Sequence, residues 1–421
     1  MVGIKPLKGL IYNKDKIKDF SSVITPPNDV ISEQSKEELQ RNQYSFVKLI
    51  KPESYVKSKE LLDKWQEEGI LTQDDKEAIY VYSQTYQAKN QEFTRTGFMS
   101  LIKLEEFGKG VLPHEKILEK DLQDRISLIT ETKANFGVPF LLYDDEPKEI
   151  DNLIRSKING EEPYFQFQEN NIIHKLWKIN NTTTIQKIVD QMLDKQCIVA
   201  DGHHRYTSEV RVKATGIPGS EYGLMCFINS FNEGTVILPT NRVIFGLENL
   251  DISNSLTKLG EFFEIETIDD INQLVKKVSS TKILLDEETN LKNHVFGFHD
   301  NINKKSYFLT LKNKECLDNF FTGKSDVYKK LDVNILHKII IEHVLNISEE
   351  EQTNREHIDF IKGNKEAISK EKEEDIQLIL FVNPPLIREV FLTAQEGNVM
   401  PQKATYFYPK VYSGLVTYKF E

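Results

Sequence analysis

The sequence predicts a fold of the mixed α/β (α+β) class. Three observations carry that expectation. Segments with apolar residues at alternate positions interchange with segments of helical period along the whole chain. Short, largely apolar runs such as Cys197–Ala200 and Leu378–Val382 sit between the helical segments, as buried strands do. No internal repeat and no low-complexity tract interrupts the pattern.

The elements follow in chain order. Ser54 to Gly69 has helical spacing of its apolar residues and ends in glycine, a usual helix stop. Ile79 to Tyr86 alternates and is rich in tyrosine, so it reads as a strand, with Phe93 to Leu104 as its hairpin partner. Asn181 to Leu193 is a helix leading into Gln196–Ala200, a buried strand. A helix is expected over His203 to Ala214. Two strands follow, from Tyr222 to Ser230 and from Thr235 to Ile244, and then a helix–strand alternation to about residue 312. Asp332 to Asn346 reads as an amphipathic helix with Asp332 at its start. The charged stretch Ser348 to Asp375 reads as a solvated helix–loop surface. Gln377 to Pro385 is a buried strand closed by two prolines.

Composition narrows the function classes. The 421 residues exceed what one hydrophobic core usually supports, so two or more cores are expected. Lys and Arg number 54 against 65 Asp and Glu, a formal charge of −11. A duplex nucleic-acid binder carries a basic surplus, so no nucleic-acid partner is expected. No apolar run reaches the ~18 residues that span a bilayer, and the first residues lack a secretory apolar core. The expectation is a soluble cytoplasmic protein with no membrane partner. Cys197, Cys226 and Cys316 are odd in number and widely spaced, which fits free thiols in a reducing compartment.

Two decoys fall away. Gly323-Lys324-Ser325 resembles the end of a phosphate loop, but Asp318 stands where that loop needs its first glycine. His114-Glu115 opens like a zinc-protease motif, but Leu118 occupies the place of the second histidine.

The segment Cys197 to Tyr206 is the most informative. A buried strand runs into Asp201-Gly202 and a helix follows. Gly202 permits a sharp turn or close approach of backbone to a ligand. The start of a helix favours an anion. Arg205 adds a planar fork suited to phosphate. His203 and His204 can donate to phosphate oxygens or carry protons. Asp201 can hold Mg²⁺ or orient a histidine. The rival readings are an ordinary capped helix, or a zinc site completed by His114, which the lack of a thiol disfavours.

Several further segments, in order, resemble one family. Ala200 to Tyr206 (ADGHHRY) resembles the signature of a family long catalogued as a domain of unknown function, some of whose members are pyrophosphate-dependent kinases of free L-serine. Pro26 to Ser32 is similar to its PPYDVIS, with Asn28 in the tyrosine position. Tyr44 to Ile50 is similar to YSFVHLI. Pro113-His114-Glu115 followed by Asp124-Arg125 resembles its PHE…DR segment. Pro239 to Arg242 matches PTHR except at Asn241, and Met400 to Lys410 is close to MPPKSTYFYPK. The DGHHR turn also resembles the phosphate-binding motif of the ParB/sulfiredoxin superfamily.

The resemblance implies transfer of a phosphoryl group from pyrophosphate to L-serine, giving O-phospho-L-serine and phosphate, with Mg²⁺. It implies a ParB/sulfiredoxin-like core elaborated by mixed-sheet subdomains. Residues 1–150 would form the N-terminal part of the catalytic unit and 151–250 the core with the turn. Residues 251–330 would be an inserted subdomain, and 331–421 would return to the active site. Gly202, Arg205, Arg242, Lys403 and Lys410 would bind phosphate; Asp201 would be the metal ligand. Asp29, His114, Thr405 and Tyr408 would meet substrate. Glu115 is the first choice of base, with Asp201 and Asp29 next; His203 and His204 complete the expected catalytic set. An ATP- or ADP-dependent serine kinase is the second reading, and a non-catalytic ParB-like nucleotide-binding regulator the third.

Overall fold

A computed structural model describes residues 2–88, 91–117, 122–281 and 293–420. The chain divides into two compact units, one of residues 1–113, 117–236 and 409–421, the other of residues 114–116 and 237–408. The architecture is mixed α/β in both, as expected.

The first unit is built on a nine-stranded sheet. Its strands are β1 (Ile4–Lys5), β2 (Ile79–Ala88), β3 (Gln91–Lys103), β4 (Val111–Leu112), β5 (Phe140–Tyr143), β6 (Phe165–Glu169), β7 (Ile172–Ile179), β8 (Cys197–Asp201) and β9 (Tyr222–Asn229). They lie in the order β4-β8-β5-β9-β3-β2-β7-β6, with β1 paired to β3. The expected hairpin is β2–β3, with Tyr80 opposite Met99 and Gln84 opposite Arg95. Helices α1 (Tyr55–Glu67), α2 (Gln123–Thr132), α3 (Glu149–Ile158), α4 (Thr182–Leu193) and α5 (His203–Lys213) accompany the sheet. Ser54 caps α1 by accepting from the Lys57 N–H, and Asn181 caps α4 by accepting from Thr184, as their residue types favour. Ile150 and Ile154 of α3 and Ile185, Ile188 and Met192 of α4 share one buried cluster with Val81, Phe98, Leu141, Val199 and Phe227 of the sheet. Cys197 and Cys226 are buried free thiols in these strands.

The second unit holds an antiparallel sheet of six strands: β10 (Thr240–Phe245), β11 (Phe263–Ile268), β12 (Val295–Asp300), β13 (Lys305–Leu311), β14 (Ile358–Lys362) and β15 (Ile376–Val382). Their order is β11-β13-β12-β15-β10-β14. Both faces are covered. Leu378, Leu380 and Val382 of β15 enter one core, and Ile379 and Phe381 enter the other. From Leu378 to Val382 that alternation is the period of two that a strand imposes; Ile376, beyond a register shift opposite Phe245, enters the second core.

Three local expectations change. The run from Thr235 to Ile244 is two strands, because Pro239 offers no N–H to continue a ladder. Asp332 does not cap its helix; its Oδ1 lies 2.7 Å from His294 Nδ1, and the helix continues as a π-helix over Leu336–Val344. The charged stretch from Ser348 contains β14, whose Ile358 is fully buried against the sheet. Two isoleucines among charges suffice to pair this edge strand. Among the described residues, no helix is long and apolar enough to cross a membrane.

Candidate functional site

Strand β8 ends at Asp201, and the chain turns at Gly202 into α5. Gly202 has φ +94°, the left-handed region where a side chain is strained. A Cβ there would also stand 3.0 Å from the Arg205 guanidinium. Helix α5 begins with the Tyr206 N–H bonding the Gly202 carbonyl at 2.9 Å, and no side chain caps it. The partial positive charge of the helix start is therefore not covered by a capping oxygen of Gly202. Tyr206 fixes the helix: it is fully buried, stacks on Phe107 and donates to the Glu105 carbonyl at 2.8 Å. His203 is buried and His204 half-buried in this first turn.

Asp201 joins two cations. Its Oδ2 is 2.6 Å from Arg205 Nη2, one helical turn on, and its Oδ1 pairs with Lys410 Nζ. Arg205 Nη1 also donates to the Val138 carbonyl at 3.0 Å. Gly137 makes room for the arginine stem, since a Cβ there would sit 2.8 Å from Arg205 Cδ. The three charged side chains are only 11–15% exposed. Burial alone would push the Asp201 carboxyl up, but Lys410 and Arg205 outweigh it and hold it well below the usual carboxylate range. Asp201 is thus a charged acceptor with both oxygens engaged, and the cluster carries one net positive charge.

Lys410 reaches Asp201 because its backbone is clamped. Arg95, 1% exposed in β3, donates from Nη2 to the Pro409 carbonyl and to Gln84 Oε1. Gln84, directly opposite in β2, donates from Nε2 to the Lys410 carbonyl at 2.9 Å. The guanidinium also lies 4.8 Å from the Phe140 ring centroid. Neither Arg95 nor Gln84 stands out in the sequence. The one signal available is that the hairpin register makes a long polar pair face each other inside an apolar sheet.

The second unit gathers other expected residues. His114 is fully buried, with Nε2 2.8 Å from Thr405 Oγ1 and its ring edge-on to Phe407. The Met400 N–H donates to the His114 carbonyl at 2.8 Å, and the Lys403 N–H to Glu115 Oε1 at 2.9 Å. Residues 400–407 are thereby held on His114-Glu115. Lys403 is exposed and takes a left-handed φ of 56°. Tyr408 is half-buried, its ring 6.4 Å from that of Tyr406. Arg242 is part of neither this group nor an open surface. It is fully buried, bonded through its guanidinium to the Thr240 carbonyl and His337 Nε2, with the Phe360 ring 5.1 Å away. That is the environment of a core arginine. Asp29 lies exposed in the first unit, on a short 3-10 helix, Asn28–Val30.

The structure thus brings Asp201, Gly202, Arg205 and Lys410 together in the first unit. In the second it brings His114, Glu115, the Lys403 backbone and Thr405 together.

A family model described as protein of unknown function (DUF1015) matches residues 4–334. None of the curated proteins matches the chain. Among solved structures, a free serine kinase in complex with AMP is 13% identical, covering 76% of this chain and 93% of its own, with a TM-score of 0.37. A conserved hypothetical protein from Pyrococcus furiosus is 15% identical over 72% and 91%, at 0.33. SbnI with C-terminal truncation, from Staphylococcus aureus, is 12% identical over 76% and 86%, at 0.34. No residue role is carried over from likenesses of this size.

Proposed function

This chain belongs to the DUF1015 family of proteins of unknown function, and on that premise we propose that it transfers a phosphoryl group from pyrophosphate to free L-serine. One observation carries the reading: the Asp201–Arg205–Lys410 cluster at the uncapped start of α5. It sets a guanidinium, an ammonium and a helix dipole on one turn, which is the charge arrangement a transferring phosphoryl group needs. The sequence motifs that surround the turn supply the choice of serine and pyrophosphate.

In this mechanism the serine hydroxyl oxygen attacks the terminal phosphorus of pyrophosphate. The bond from that phosphorus to the bridging oxygen breaks, and orthophosphate leaves. Arg205 and Lys410 neutralise the phosphoryl oxygens, and Asp201 fixes both cations. Because Asp201 is held charged with each oxygen on a cation, its role is positioning rather than proton transfer. Proton acceptance is assigned to Glu115 on the sequence resemblance alone. Arg242 is left out of the cradle, since its donors are spent inside the core.

Magnesium does not fit the residues as a protein-held ion. Both Asp201 oxygens are taken, and among the described residues no group of three or more His, Cys, Asp or Glu side chains is gathered. No step is routed through it; an ion arriving with pyrophosphate would come as part of the substrate.

The test is a phosphoserine assay with L-serine against pyrophosphate, ATP and ADP in parallel. Phosphoserine formed efficiently from pyrophosphate alone supports the reading. Comparable kcat/KM with ATP or ADP moves the protein to the nucleotide-dependent class, and no product with any donor ends the kinase reading.

A further inference from the structure

Beneath the Arg205 stem, inside the first unit, lies a small cavity of about 30 Å³. Its polar lining is Asn28, Arg125, Asn135, Arg205, Glu209 and Ser413. Four buried atoms of these residues lack a hydrogen-bond partner: Asn28 Oδ1, both amide atoms of Asn135, and Glu209 Oε2, which packs close to Gly223. Asn135 is 1% and Glu209 3% exposed, so each pays heavily for an unmet polar atom unless something fills the space. The four come from three distant segments: the proline-led loop, the strand after α2, and α5 one turn beyond Arg205. Three of the four are oxygens. An ammonium group has three N–H donors and no acceptor, and it is about the size of a water molecule.

We propose that this cavity receives the α-ammonium end of the amino-acid acceptor, through Asn28, Asn135 and Glu209. The proposal rests on the phosphoryl-acceptor reading above and adds where the acceptor is held. Arg205 lines the cavity with its stem while its guanidinium serves the phosphate turn, so the two subsites share one side chain. Arg125 lies at the same cavity with Nη1 3.3 Å from the Ile50 carbonyl and Nη2 paired with the half-exposed Asp124 carboxylate, which the amino acid's carboxylate would join or displace. Glu209 supplies the opposite charge. Burial pushes its carboxyl well up, against the pull of Arg205, and an ammonium beside it would favour the charged form. Asp29, expected from the sequence to meet substrate, is exposed beside Asn28.

A site of this size discriminates at nitrogen. The test is calorimetric binding of L-serine, N-methyl-L-serine and glycerate to the full chain. L-serine is expected to bind at least tenfold tighter than either analogue, one of which enlarges the ammonium while the other lacks it. Asn135→Ala and Glu209→Gln should each weaken L-serine at least tenfold and leave pyrophosphate binding unchanged. Should either fail to fold, Asn28→Ala, in a half-buried loop, carries the same expectation. Equal binding of serine and N-methylserine overturns the proposal, as does unchanged serine affinity in the folded variants. So does a cavity that holds only water or an inorganic cation in a serine-soaked crystal. Phosphoserine formation without this binding pattern removes the subsite and keeps the kinase; the pattern without any phosphoserine removes the kinase and keeps the subsite.

Discussion

Gln84 and Arg95 face each other across the β2–β3 hairpin, and together they hold the backbone of Pro409 and Lys410. The ammonium that completes the Asp201 cluster is therefore positioned by a polar pair more than 300 residues away in sequence. This arrangement separates the ammonium of the cluster from the groups that aim it.

Gln84→Leu should raise KM for pyrophosphate roughly tenfold and leave KM for serine unchanged, an effect of about 1.4 kcal/mol. It should also cost about 1–3 kcal/mol of stability, since Arg95 loses an acceptor inside the sheet. The decisive readout is coupling. Combined with Lys410→Met, the second change should add little to the first. Additive losses would mean that Gln84 acts only on the fold.

Arg205→Ala should lose about 2–4 kcal/mol of transition-state stabilisation, roughly 30- to 1000-fold in kcat/KM. Arg205→Lys should recover only part, because an ammonium does not span both Asp201 and the Val138 carbonyl as the fork does. Near-normal turnover of the alanine variant sinks the phosphate turn.

The Asp201 carboxyl is held below its unfolded value of about 3.9, so its contribution to stability is present above that pH and fades as the pH falls further. Asp201→Asn should destabilise the protein by about 3 kcal/mol from pH 5 to pH 8, leaving two buried cations without their anion. The gap between variant and wild type, measured by urea unfolding, should narrow only below about pH 4. A gap that closes near pH 6 would contradict the pairing.

Gly202→Ala places a Cβ in the left-handed region and against the Arg205 guanidinium. A loss of about 1–2 kcal/mol in stability is expected, together with a fall in kcat that persists when activity is expressed per folded molecule. An alanine variant with full activity would show that the turn is not tightly built.

Arg242→Leu should destabilise the second unit by about 3 kcal/mol, because His337 Nε2 and the Thr240 carbonyl lose their donor. Activity per folded molecule should stay within threefold. A hundredfold loss in a well-folded variant would return Arg242 to the phosphate cradle.

The strand–turn–helix from Cys197 to Lys213 was legible because it is local: an apolar run, a glycine and a helical period suffice to place Asp201 and Arg205 one turn apart. The hairpin and the extents of α1 and α4 were legible for the same reason. The π-helical stretch was not, since an apolar period near 3.6 carries no mark of a wider turn. Strand β14 was hidden because its three apolar residues lie within a long stretch dominated by charges, and only its partner β10 gives it a place. Arg95 and Gln84 were hidden for a different reason. Each matters through contacts made across the fold, and a buried polar residue in a strand looks in sequence like a solvated one.

The first unit is closed by residues 409–421, after the chain has formed all of the second unit's long segment. Lys410 follows Asp201 by 209 residues. At ~5–20 residues per second of synthesis, the aspartate and arginine wait some ~10–40 s for their second cation. A nascent or prematurely terminated chain therefore carries the phosphate turn without its clamp, and Arg95 without the carbonyl it was built to hold. The cluster is completed only once Lys410 has been made and folded back onto Asp201.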